Sequence, residues 1–182
     1  MARWSIAPAT GDDLPAIVAL VNSAYRGPAA QAAWTHEADL LDGQRTDQQS
    51  LADELSAPDP STILLLREEP GTAILACVML QRYRDRDEVQ MCHLAMLTVS
   101  PAAQARGLGR HMLDVSEAWA RDAGCRALRM TVISLRVELV AWYERRGFRR
   151  TGETRPFPYG DARFGVPRRD DLDFMVLEKA LV

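Results

Sequence analysis

Between Val89 and Trp119 the hydrophobic pattern changes once from strand-like to helix-like, and that change constrains the rest of the chain. Val89 to Val99 is apolar, rich in β-branched and sulfur residues, and free of Gly and Pro. Such a run, bounded by charges before it and Ser100-Pro101 after it, predicts a buried strand. Pro101 has no N–H to continue a ladder, so the strand ends there. Apolar residues then recur at Leu108, Met112, Val115 and Trp119, one face of a helix. The connection is Gln104-Ala105-Arg106-Gly107-Leu108-Gly109-Arg110. Glycines on either side of one residue at a helix start leave the backbone open to close approach. The free N–H groups of that first turn and the positive end of the helix dipole suit a phosphate or pyrophosphate. Arg106 and Arg110 add positive charge to the same place. Taken alone, the loop also reads as a helix start whose glycines serve packing. Two other phosphate motifs fail on residues: a dinucleotide fingerprint needs a third small residue where Met112 stands, and a phosphate-loop NTPase needs Gly-Lys-Ser/Thr, whereas Lys179 is the only lysine.

Farther on, Leu139-Val140-Ala141-Trp142-Tyr143-Glu144-Arg145-Arg146-Gly147-Phe148 forms an apolar helix closed by glycine. The two stretches, in this order and spacing, resemble the two signatures of the GNAT N-acetyltransferase family: Gln-x-x-Gly-x-Gly after a strand, and Tyr-Glu-x-x-Gly-Phe at a helix end. The resemblance implies an α/β fold, a mixed sheet of six to seven strands with about four helices packed on both faces. It implies acetyl-CoA as the cofactor, released as coenzyme A. Residues Gln104 to Arg110 (Gln104, Ala105, Arg106, Gly107, Leu108, Gly109, Arg110) would hold its pyrophosphate, and the main chain of Leu97 and Val99 its pantetheine arm. Tyr143 is implied as the acid for the departing thiolate. An asparagine frequent in the family before this tyrosine is replaced by Arg136, which is assigned to the cofactor side; a phosphate, an acidic acceptor and a role covering the helix end are its open alternatives.

The residues themselves bound the rest. A chain of 182 residues with 47% hydrophobic content fits one domain spanning 1–182. Net charge −3 and pI near 5.6 recommend neither nucleic acid nor an anionic membrane as partner. No apolar run approaches the ~20 residues of a membrane span, and MARWSIAPATGDDL lacks a signal core, which predicts a cytoplasmic protein. Cys77, Cys92 and Cys125 form no C-x-x-C pair and read as reduced core thiols.

In chain order, Trp4 to Pro8 predicts a strand, and Thr10 with Asp13 has capping-box spacing before the amphipathic run Leu14, Ile17, Val18, Val21, Tyr25. Ala29 to Arg45 is a long connection of the kind that carries function. Thr46 or Asp47 caps a second helix to Leu55. Ile63 to Leu66 and Ala73 to Leu80 are strands around a turn at Glu69-Pro70-Gly71. After the central strand and helix come a strand at Leu128 to Ile133, a helix at Val137 to Arg146, and strands at Phe148 to Glu153 and Leu172 to Leu177.

Two groups are candidates for a general base. His93 lies on the central strand, on one face with Ala95, Leu97 and Val99 by a two-residue period. Glu37 follows Trp34-Thr35-His36 in the long connection, which the resemblance places on the acceptor side; Trp34 and Glu37 are assigned there with Tyr159. A core histidine bonded to backbone, a solvated carboxylate paired with Arg45, and a water as base remain open. Arg155 to Asp171, rich in Pro, Gly and Arg, predicts a wall on the acceptor side. The expected acceptor is a primary amine of a small molecule or amino-acid-like compound. A non-catalytic acyl-CoA sensor or a peptide acetyltransferase is the alternative, and homodimers are common in the family.

Overall fold

The computed structural model describes residues 3–27 and 36–181. Its sheet contains seven strands: β1 (Arg3–Pro8), β3 (Thr62–Glu69), β4 (Ile74–Arg84), β5 (Gln90–Val99), β6 (Ala127–Ile133), β7 (Arg149–Pro156) and β9 (Asp173–Ala180), in the order β1-β3-β4-β5-β6-β9-β7. The β5–β6 pair is parallel and the other pairs are antiparallel. Helices α3 (Leu108–Asp122) and α4 (Val137–Glu144) pack on one face, and α1 (Leu14–Tyr25) and α2 (Gln48–Ser56) on the other. A two-residue ribbon, β2 (Leu41–Asp42) with β8 (Val166–Pro167), joins the long connection to the excursion before the last strand.

Each helix begins where local chemistry lets it. Ahead of α1, the Thr10 N–H donates to the Asp13 carboxylate at 2.9 Å in the predicted capping box, which closes the 3-10 turn Gly11–Asp13 leading into the helix. Asp47 caps α2 by accepting the Ser50 N–H at 2.8 Å. On α3 the predicted stripe faces the core: Leu108 and Met112 are at most 1% exposed, Val115 and Trp119 pack against it partly buried, and Leu113, outside the stripe, is also buried. Burying each such side chain contributes about 1.5–3 kcal/mol. Met112→Ala would cost about 2–5 kcal/mol through lost contact and a cavity. Gly124 and Gly147, at φ +75° and +90°, take the left-handed conformation that stops the helices before them. The three cysteines are free and buried.

The most consequential departure from regular geometry lies in β5. It pairs with β6 only at Cys92 opposite Leu128 and His93 opposite Arg129, and beyond these the strands part. On the other edge the β4–β5 register slips between Ala95 and Thr98, where Met96 adopts φ +54°. The extra residue of this bulge reverses the alternation of side chains. The prediction of one face for His93, Ala95, Leu97 and Val99 is therefore corrected. Ala95 and Met96 pack toward α1 and α2, with His93 beside Ala95 on that side, whereas Leu97 and Val99 join the core beneath α3 and α4.

Candidate active site

The turn from Gln104 to Arg110 follows a 3-10 turn at Pro101–Ala103. Ala105 (φ +67°) and Gly107 (φ +77°) are both left-handed, an arrangement that gathers successive N–H groups on one side as an anion-binding concavity. Gly107 is the N-cap of α3 with no side chain capping it, and the first helical bond is His111 N–H to Gly107 O at 3.1 Å. Among the described residues no hydrogen bond is donated by the main-chain N–H of Ala105, Arg106, Gly107, Leu108, Gly109 or Arg110. A Cβ on Gly107 would meet nothing within 4 Å, so the loop opens to solvent there. These features fit a pyrophosphate. The loop's side chains divide differently. The Arg106 guanidinium donates to Glu68 at 2.6 Å and lies over Trp4, so its charge is already engaged. Arg110 is exposed on the first turn of α3 and acts electrostatically on Arg146, whose half-buried guanidinium lies over the Trp142 ring at 3.6 Å. Burial, with Arg145 and Arg110 after it, pulls the Arg146 pKa down. The sequence reading did not single out Arg146, because it stands at an unspecified place of the Tyr-Glu-x-x-Gly-Phe signature. The Nε2 of Gln104 is buried without a partner among the described residues.

Where β5 and β6 part, two phenols approach from opposite faces. Tyr143, near the end of α4, is 5% exposed, with its ring edge-on to Trp142 and Phe148. Its hydroxyl makes no hydrogen bond among the described residues. Burial, then Tyr25, raises its pKa; Arg136 and Arg146 oppose that rise. Tyr25 ends α1 and donates its hydroxyl to the Leu97 carbonyl at 3.0 Å, inside the bulge. Burial pushes its pKa up to about 12, against the pull of Arg45, so it stays a donor at neutral pH.

Beside Tyr25 lies Glu37, whose N–H donates to the Tyr25 carbonyl at 3.0 Å. One Glu37 oxygen accepts from Arg26 at 3.3 Å and the other from Arg136 at 3.4 Å. The three side chains are 12%, 6% and 10% exposed. Arg136 is the N-cap of α4 rather than part of its helical face. The solvated pairing of Glu37 with Arg45 is corrected: Arg45 lies over the Tyr25 ring at 5.5 Å. Trp34 lies outside the described residues.

On the α2 side of the sheet a cavity of about 640 Å³ is lined by Asp47 at the N-cap of α2, Glu54 on α2, His93, Ala95 and Met96 on β5, and Arg163 and Phe164. A smaller one of about 310 Å³, lined by Tyr83, Arg129 and Arg155, shares Gln81 and His93 with it. Burial first, then Arg155, lowers the His93 pKa, while Glu54 opposes them. Glu37 and Tyr159 line neither cavity. The Tyr159 hydroxyl instead accepts the Leu172 N–H at 2.7 Å, tying the excursion to the start of β9. Of the Arg155–Asp171 excursion, Arg163 and Phe164 line the larger cavity, and Arg168 ties the excursion to Asp42 at 2.6 Å.

The model of the acetyltransferase (GNAT) family covers residues 20–148. A mycothiol acetyltransferase from Propionibacterium freudenreichii subsp. shermanii is 29% identical over 137 residues, 75% of this chain; the chain spans 40% of that relative's length. Among solved structures, an N-acetyltransferase from Staphylococcus aureus Mu50 superposes with TM-score 0.71 at 14% identity, covering 99% of both chains. A putative acetyltransferase from Salmonella typhimurium, yncA, solved with acetyl-CoA, superposes with TM-score 0.67 at 20% identity over 98% of this chain and 94% of that one. Both solved structures share the fold.

Proposed function

The chain belongs to the acetyltransferase (GNAT) family, and from that premise we propose that it transfers an acetyl group from acetyl-CoA directly to the primary amine of a small-molecule acceptor. The observation that carries the reading is the row of unpartnered N–H groups from Ala105 to Arg110, at the head of a helix whose preceding strand parts from its neighbour. Acetyl-CoA supplies an activated acetyl thioester and a thiolate leaving group. The chain's residues hold, aim and exchange protons around it. Amides 105–110 and the Arg110 charge hold the pyrophosphate, and the β5 backbone at Leu97 and Val99 aligns the pantetheine.

Tyr143 gives its hydroxyl proton to the departing sulfur and regains one from the attacking nitrogen as that nitrogen becomes an amide. Burial makes a phenol a weaker acid, and by the same desolvation makes a thiolate a stronger base, so both ends of the transfer shift together. The acceptor enters through the 640 Å³ cavity. His93 takes the proton of the incoming ammonium, because a burial-lowered pKa keeps its imidazole neutral at physiological pH. Glu37 is read as a positioning residue, since both its oxygens are engaged by guanidinium groups. Direct transfer is favoured over an acetyl-cysteine intermediate: burial pushes Cys77 and Cys92 up to about 12, and neither supplies a thiolate. The relative named a mycothiol acetyltransferase supports a small-molecule acceptor.

The test follows thiol release from acetyl-CoA across a panel of small primary amines. The expected result is saturable CoA release with at least one amine above the hydrolysis background. Binding of acetyl-CoA without release to any amine would favour a sensor and refute catalysis.

A further inference from the structure

Past His93, β5 has no ladder partner on the β6 side, yet it carries a bulge with Met96 held at φ +54°. A left-handed non-glycine residue costs roughly 1–2 kcal/mol and persists only where its surroundings impose it. Within the sheet the Thr98 hydroxyl donates to the Met96 carbonyl at 3.0 Å, and a further contact on the bulge comes from α1. Tyr25 lies 72 residues from Leu97 in sequence, and its buried hydroxyl donates to the Leu97 carbonyl at 3.0 Å. A phenylalanine would fill the same space, and burying a hydroxyl is unfavourable unless it is bonded. Leu97 provides the hydroxyl's only partner among the described residues. The main-chain carbonyl of Tyr25 accepts from Glu37, and Glu37 in turn engages Arg136 at the start of the helix bearing Tyr143.

We propose that Tyr25 is a positioning residue for acetyl transfer: through the Leu97 carbonyl its hydroxyl fixes the bulged backbone against which the acetyl thioester is aligned. The inference rests on the acetyl-transfer reading above and adds to it a residue outside both family signatures. The groups facing the Tyr25 phenol are Arg45, Glu37, Arg136, Cys77 and Tyr143. Its electrostatic surroundings thus include α4 as well as its own element.

Tyr25→Phe tests it. CoA lacks the acetyl group and should bind the variant within twofold of the unmodified protein, which also shows that the fold is intact. Turnover should fall at least tenfold at unchanged KM for acetyl-CoA. Isotope-edited infrared spectra of bound [1-13C]acetyl-CoA should show a carbonyl band displaced from its free position in the unmodified protein and returned toward it in the variant. Equal turnover and an unmoved band would overturn the inference while leaving the acetyl-transfer reading intact. Failure of the unmodified protein to bind or use acetyl-CoA would overturn both.

If Tyr25→Phe does not fold, a fluorinated tyrosine placed only at 25 preserves the shape and ionises at lower pH. Its anion cannot donate to Leu97, so the alkaline limb of kcat should move to lower pH. An unmoved limb would refute the proposal.

Discussion

Removing the Glu37 carboxylate separates two roles that a catalytic-site carboxylate can play. Glu37→Ala leaves the Arg26 and Arg136 guanidiniums, 6% and 10% exposed, facing each other without their shared anion. Deleting one partner of a buried ion pair costs about 3–5 kcal/mol, because the remaining charge stays desolvated. For a chain of this size each kcal/mol lowers Tm by about 2–4 °C, so a fall of about 6–20 °C is expected by thermal denaturation. Part of the loss should be recovered by replacing the triad with apolar residues, as in Glu37→Leu with Arg26→Met and Arg136→Met, since a buried ion cluster need not exceed apolar packing in stability. CoA affinity should change by less than about threefold after correction for the folded fraction, less than ~0.7 kcal/mol. A Tm within about 2 °C of the unmodified protein, together with loss of turnover, would refute the clamp and restore Glu37 as a base.

Further outcomes follow from the same geometry. Tyr143→Phe should lower kcat at least tenfold, about 1.4 kcal/mol of barrier, with CoA affinity unchanged in titration calorimetry; unaltered turnover removes Tyr143 from the proton transfer. His93→Gln should abolish the acidic limb of the kcat/KM profile, which in the unmodified protein should lie below the ordinary histidine range because burial and Arg155 lower this pKa. The linked stability has a definite sign: with the folded pKa depressed, the unfolded chain binds the proton more tightly, so stability falls as pH drops below ~6.5 and levels off beneath the folded value. His93→Gln should flatten that part of a Tm-versus-pH curve, and an unchanged slope would contradict it. Arg106→Gln should leave Tm nearly unchanged, because its pair with Glu68 is well exposed and screened by solvent; a large fall would contradict this.

The sequence made the order of the main elements legible because each carries its own local signal. Thr10 and Asp13 mark the start of α1, Asp47 caps α2, Pro101 follows β5, and Gly124 and Gly147 follow helices. It did not disclose the Met96 bulge. A bulge depends on what the neighbouring strands do, and a two-residue period assumed through it assigned Leu97 and Val99 to the wrong face. Tyr25 was legible only as the last apolar position of a helix, since its hydroxyl partner is distant in sequence. The Glu37 triad was hidden for the same reason: Arg136 lies 99 residues away. The short β2–β8 ribbon has too few residues for a periodic signal, though the crowded prolines and glycines around it marked an irregular excursion there.

The central claim is that bare amides at the head of α3 hold a diphosphate. Amide 1H–15N shifts recorded during titration test it most directly, with CoA compared against pantetheine, which lacks the pyrophosphate. The account predicts large, saturable shifts at Gly107, Leu108, Gly109 and Arg110 with CoA, and little movement there with pantetheine. Binding of CoA that leaves those four amides unmoved would contradict it.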